Sequence, residues 1–195
     1  AILTGIVVAT LFFAATIQIS VAVAWITAAA VLLATLSFLD DRKGLPVRVR
    51  LIGQIASAGL VAGGGLVLPG AGLPGVEWAW PQTLGIPVTI LYLVWMVNLY
   101  NFMDGMDGLA GGMAVAGFVA FALLGIQGGD TVFVTVNLII AASAAAFLMA
   151  NFPPAKIFMG DSGSASLGLL AGCMSIWAER QQLFPLWISI LVFSP

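Results

Sequence analysis

IPVTILYLVWMVNLYNFMDGMDGLAGGMAVAGFVAFALLGI, residues 86–126, sets two long apolar runs on either side of a short polar stretch. Neither run alternates polar with apolar as a barrel strand would. Each is nearly continuous, the pattern of a helix immersed in hydrocarbon. Similar runs occupy 1–18, 21–39, 50–68, 86–101, 108–126, 131–150, 163–178 and 183–195. The expected fold class is therefore all-α, a polytopic transmembrane helix bundle of about eight spans forming one domain over residues 1–195. Composition agrees: 62% of residues are hydrophobic and 7% charged, and the mean hydropathy is +1.14. Soluble domains carry about 25% charged residues, so water-soluble folds are excluded. No histidine is present, which removes histidine acid–base and histidine metal chemistry. The single cysteine, Cys173, sits in an apolar run and is read as a packed side chain.

Charge is gathered in three islands: FLDDRKGLP at 38–46, NLYNFMDGMDG at 98–108 and NFPPAKIFMGDSGS at 151–164. They hold Asp40, Asp41, Asp104, Asp107 and Asp161, five of the eight acidic residues. Carboxylates are costly near lipid, so this concentration points to chemistry. Arg42, Lys43, Arg48 and Arg50 follow the first island, and the excess of basic residues places that loop in the cytoplasm. Counting runs onward puts all three islands on that face and the 69–85, 127–130 and 179–182 loops on the other. Glu77, Asp130, Glu179 and Arg180 then fall outside and are read as solvated loop charges. The N-terminus lacks a basic leader pattern, and both ends lie in apolar sequence. The chain is expected to be an internal piece of a longer protein.

Asn98, Asn101, Asp104 and Asp107 recur every third position. On a continuous helix such a row rotates by roughly 60° per step. Gly105 and Gly108 point to a break that lets the four groups converge, or else to a capped helix end. Asn and Asp oxygens suit Mg²⁺, which takes one or two protein oxygens together with phosphate and water. Asp161-Ser162-Gly163-Ser164 opens a helix, whose free N–H groups can hold an anion; Asp161 as a plain cap is the alternative. Asp40-Asp41 with the cations that follow is either a bilayer anchor or a carboxylate pair beside a phosphate-attracting patch.

The pieces DDRKGLPVRVRLIGQ at 40–54, NLYNFMDGMDGLAGG at 98–112 and FMGDSGSASLG at 158–168 together resemble the polyprenyl-phosphate N-acetylhexosamine-1-phosphate transferase superfamily, glycosyltransferase family 4. The second piece is most similar to the bacterial branch that loads undecaprenyl phosphate. The resemblance implies a multi-pass protein of the bacterial inner (cytoplasmic) membrane with its active site facing the cytoplasm. It implies transfer of a sugar-1-phosphate from a UDP-sugar to a polyprenyl phosphate, with loss of UMP. The implied cofactor is Mg²⁺, with Mn²⁺ as the alternative, held by Asn101 and Asp161. Asp40 and Asp41 are the implied catalytic pair. Asp107 and Phe158 would meet the uracil and Arg50 the phosphates, with Asn98 and Asp104 also binding substrate. Expected partners are the UDP-sugar, the lipid phosphate, the membrane and, as an open option, a second copy of the chain; nucleic acid is not among them. The family's Pro-Thr-Pro-Arg-Gly-Gly-like segment and its late basic loop are not found in these residues. A coupled transporter with an acidic cytoplasmic site is the alternative, though its polar groups should lie mid-span. A CDP-alcohol phosphatidyltransferase needs an Arg and a further Asp pair after Asp107-Gly108-Leu109-Ala110, and these are missing.

Overall fold

The computed structural model describes residues 21–73 and 76–194, so the expected span at 1–18 lies outside the described residues. In chain order come α1 (Val21–Lys43), α2 (Val47–Gly63), the strands β1 (Gly70–Leu73) and β2 (Val76–Ala79), then α3 (Gln82–Met103), α4 (Leu109–Gly128), α5 (Thr131–Asn151), α6 (Gly160–Arg180) and α7 (Leu186–Val192). Four of these, α1, α3, α4 and α5, are long and apolar enough to cross a bilayer. The chain is a multi-pass membrane protein with an all-α bundle. The expected count of about eight spans is not confirmed: among the described residues three helices fall short of this description, for physical reasons. α2 has 17 residues, including Arg48, Arg50 and Gln54. α6 opens on the polar GDSGS, and α7 has only seven residues.

Lipid tails are as apolar as leucine, so burial alone does not draw helices together in a membrane; close packing does. α6 shows how this is met here. Its residues from Ser164 to Ala178 are all buried, and it packs against α1 and α3. Gly168 lets the α3 backbone approach closely: a Cβ there would lie 2.5 Å from the Met96 carbonyl oxygen. α4 and α5, joined by two residues, form a closely packed pair. Phe193 seats that pair against the rest. Its ring centroid lies 5.1 Å from Phe121, 5.4 Å from Phe118 and 5.8 Å from Tyr100. Cys173 is fully buried, as its apolar setting requires.

The loop between α2 and α3 contains an antiparallel hairpin that the apolar runs do not reveal, with Gly70 opposite Ala79 and Ala71 opposite Trp78. The Trp80 indole donates to the Leu68 carbonyl at 2.9 Å, and the Leu68 N–H donates to the Thr89 hydroxyl at 2.9 Å. At this end Asp130, Glu179 and Arg180, expected as solvated loop charges, are engaged in hydrogen bonds. Asp130 caps α5 by accepting from the Phe133 N–H at 2.9 Å, and also accepts from the Trp177 indole at 3.0 Å. Glu179 accepts from the Leu186 N–H, and Arg180 donates to the Gly65 carbonyl.

Candidate active site

The three polar islands meet at the opposite end of the bundle. α1 continues through Lys43, so Asp40 and Asp41 sit in its last turn rather than in a loop. Asp40 is buried, and its carboxylate accepts from the Leu45 N–H at 2.6 Å, which helps fold the short link to α2. Arg50, in the first turn of α2, reaches both ways. Its Nε lies 3.0 Å from Asp40 Oδ2 and its Nη2 lies 3.3 Å from Asp161 Oδ2. One guanidinium thus ties together α1, α2 and α6.

At the start of α6, Gly160 has φ +68, a left-handed conformation that glycine adopts without strain. The turn presents the N–H groups of Asp161 and Ser162. The Asp41 carboxylate accepts from them at 3.3 and 3.4 Å. The expected anion site at this helix start therefore holds an internal anion. One turn on, the Ser164 hydroxyl lies 2.6 Å from Asn101 Oδ1 and 3.1 Å from the Gly160 carbonyl.

The Asn/Asp row divides between neighbours instead of converging on one centre. α3 runs through Asn98 and Asn101 to Met103, with Asp104 at its C-cap. The rotation along the helix therefore still acts on the first two residues. Asn98 turns to α2, where its Nδ2 donates to Gln54 Oε1 at 2.9 Å. Asn101 turns to Ser164 on α6. Asp104 lies by Asp161, Asp41 and Gly160. Partial burial pushes its carboxyl up to about 6, the Asp161 and Asp41 charges add to the rise, and the Gly160 backbone opposes it. Asp107 points to the third island and accepts from the Ala155 N–H at 3.0 Å. Phe158 is 75% exposed at the mouth of the site. Asn151, in the third island, is a further site residue. It is buried, accepts from the Gly108 N–H at 2.9 Å and donates to the Ile157 carbonyl at 2.9 Å. An amide closing a 21-residue apolar helix was the available signal.

Asp40, Arg50, Gln54, Asn101 and Asp161 line a small cavity of about 20 Å³, room for one water-sized occupant. Among the described residues, no three carboxylates or thiols form a ready cation cage. The donor set still fits Mg²⁺. Asp161 offers a carboxylate and Asn101 a carbonyl oxygen with a second lone pair, and Mg²⁺ draws its other ligands from phosphate and water.

Residues 21–179 match the family model described as Glycosyl transferase family 4. The chain belongs to this family. It is 33% identical over 173 residues to a Bacillus subtilis protein named probable undecaprenyl-phosphate N-acetylglucosaminyl 1-phosphate transferase, covering 86% of this chain and 48% of that one. A decaprenyl-phosphate N-acetylglucosaminephosphotransferase of Mycolicibacterium smegmatis is 33% identical over 75% of this chain and 39% of its own length. A phospho-N-acetylmuramoyl-pentapeptide-transferase of Moorella thermoacetica is 34% identical over 73% of this chain and 46% of its own length. The chain thus spans less than half the length of each of these curated relatives.

Proposed function

We propose that this family 4 chain carries the catalytic core of an enzyme that moves an N-acetylhexosamine-1-phosphate, or a related amino-sugar phosphate, from a UDP-sugar to a polyprenyl phosphate, releasing UMP. The reading places it in a bacterial cytoplasmic membrane, acidic end inward, at the start of a cell-envelope polysaccharide. The observation that carries it is the Asp40–Arg50–Asp161 bridge, which draws the first and third islands into one cluster beside Asn101. The names of the relatives support the same chemistry.

In this reading an oxygen of the lipid phosphate attacks the phosphorus that bears the sugar. The bond from that phosphorus to the bridging oxygen breaks, and UMP leaves. Such transfer needs positioning and charge neutralisation more than a strong base. Arg50 exchanges a carboxylate for the entering phosphate. The N–H groups of Asp161 and Ser162 make long bonds to Asp41, which a phosphate oxygen can take over. Asp40 or Asp41 accepts the acceptor's proton when it arrives protonated. Asp107 and Phe158 face the uracil, and Asp104 contacts the donor. Asn101 and Asp161 would hold Mg²⁺, or Mn²⁺, whose part is to neutralise charge on the diphosphate.

The test is UMP release from a panel of UDP-sugars with undecaprenyl phosphate, using the full-length protein. Asp161→Asn is nearly isosteric and should abolish turnover while leaving accumulation in the membrane unchanged. A near-normal rate with the same Mg²⁺ dependence would remove Asp161 from the metal site.

A further inference from the structure

Gln54 is an amide buried within α2, with 8% of its surface exposed. Its bonding is reciprocal. Asn98 Nδ2 donates to Gln54 Oε1 at 2.9 Å, and Gln54 Nε2 approaches Asn98 Oδ1 at 3.5 Å. Asn98 Nδ2 also reaches the Val94 carbonyl at 2.7 Å. Residues four apart on a helix share a face, so Gln54 stands one turn beyond Arg50 on the same side of α2. Both line the cavity that Asp40, Asn101 and Asp161 share. The adjacent residue, Gly53, faces α1: a Cβ there would lie 2.7 Å from Leu36 Cδ1. α2 packs against both α1 and α3, but non-directional packing leaves it some freedom to roll about its own axis. The amide pair with α3 removes that freedom.

We infer that Gln54, through Asn98, is a positioning residue that sets the rotation of α2 and so holds Arg50 between Asp40 and Asp161. This rests on the proposed function only where turnover is concerned. The ion-pair geometry stands by itself and can be measured without substrate. Asn98, expected to bind substrate, serves in this view as the anchor on α3.

The experiment labels the full-length protein in detergent with phenylglyoxal and reads each arginine by mass spectrometry. Arg42 and Arg48 are exposed and serve as internal references. In Gln54→Leu the Arg50 rate, relative to Arg42 and Arg48, should rise about fivefold, the factor given by the loss of one net amide hydrogen bond. Asn98→Leu should do the same and carries the test if Gln54→Leu fails to accumulate. Gln54→Glu keeps an acceptor for Asn98 and should leave Arg50 protected. UMP release should fall in the two leucine variants, while Gln54→Glu is read by Arg50 protection alone. An unchanged Arg50 ratio, or an equal rise at all three arginines, overturns the inference. A rise confined to Arg50 in a protein that releases no UMP in any form upholds it and sinks the functional reading instead.

Discussion

Arg50 stands at the wrong end of its helix. A cation in the first turn opposes the macrodipole, and so does the carboxylate of Asp40 in the last turn of α1. Each tolerates its place because it faces the other, with Asp161 as a third member. Such breaches of local preference are expected where residues are kept for function. Asp104 gives a pH test. Its carboxyl is raised from 3.8 to about 6, so the folded protein binds this proton more tightly than the unfolded chain. The resulting stability is fully present below about pH 4 and is lost as pH rises through 6. The thermal midpoint of the parent should therefore fall further between pH 4 and pH 7 than that of Asp104→Asn, read by unfolding in detergent. Parallel curves would show that Asp104 is not held this way. The acidic residues of the site were legible because carboxylates stand out against 62% hydrophobic residues. Gln54 and Asn151 were not, since single neutral amides carry no such contrast and gain their meaning only from partners 44 and 43 residues away.

Between helices, the decisive features are small. Gly168→Ala would set a methyl group against the α3 backbone. Neither helix can relieve that by rotating a side chain, so the variant should lose about 1–3 kcal/mol. Gly112→Ala is the control, because nothing lies within 4 Å of its would-be Cβ. Equal thermal midpoints for the two variants would show that α3 and α6 do not pack as described. At the far end, Asp130→Ala should cost about 1 kcal/mol through the lost cap of α5. Asp130→Asn, which keeps an acceptor, should cost less; the difference in unfolding midpoint is the measurement. Helix positions were readable from apolar runs because hydrocarbon demands length. Helix ends were less so. α3 passes through Asn98 and Asn101 because Asn98 bonds to Gln54 on α2 and back to the Val94 carbonyl, and Asn101 bonds to Ser164 on α6, so neither caps the helix end. The hairpin at 70–79 was hidden for a related reason: a two-stranded ribbon rich in glycine has no strong alternation to read.

The whole molecule has two unlike ends. One carries Lys43, Lys156 and the acidic cluster; the other carries the hairpin with Trp78. Cys173 is wholly buried, so the parent chain should react little with an impermeant maleimide. Lys43→Cys and Lys156→Cys should be labelled from one side of the membrane, and Trp78→Cys from the other, in sealed inverted vesicles compared with intact cells. Labelling of all three from a single side would break the arrangement of α1 to α6. The proposed orientation further requires the two lysine positions to react in the inverted vesicles.

The bridge through Arg50 also has a consequence in time. Asp41 and Asp161 are 120 residues apart, and helices leave the ribosome in order. At 5–20 residues per second, roughly 6–24 s separate the synthesis of the two ends of the cluster. During that interval Arg50 can pair with Asp40, but the N–H groups that Asp41 will hold do not yet exist. A nascent chain therefore passes through the membrane machinery with the Asp40–Arg50 pair alone, and it gains the complete polar centre only once α6 has packed against α1 and α3.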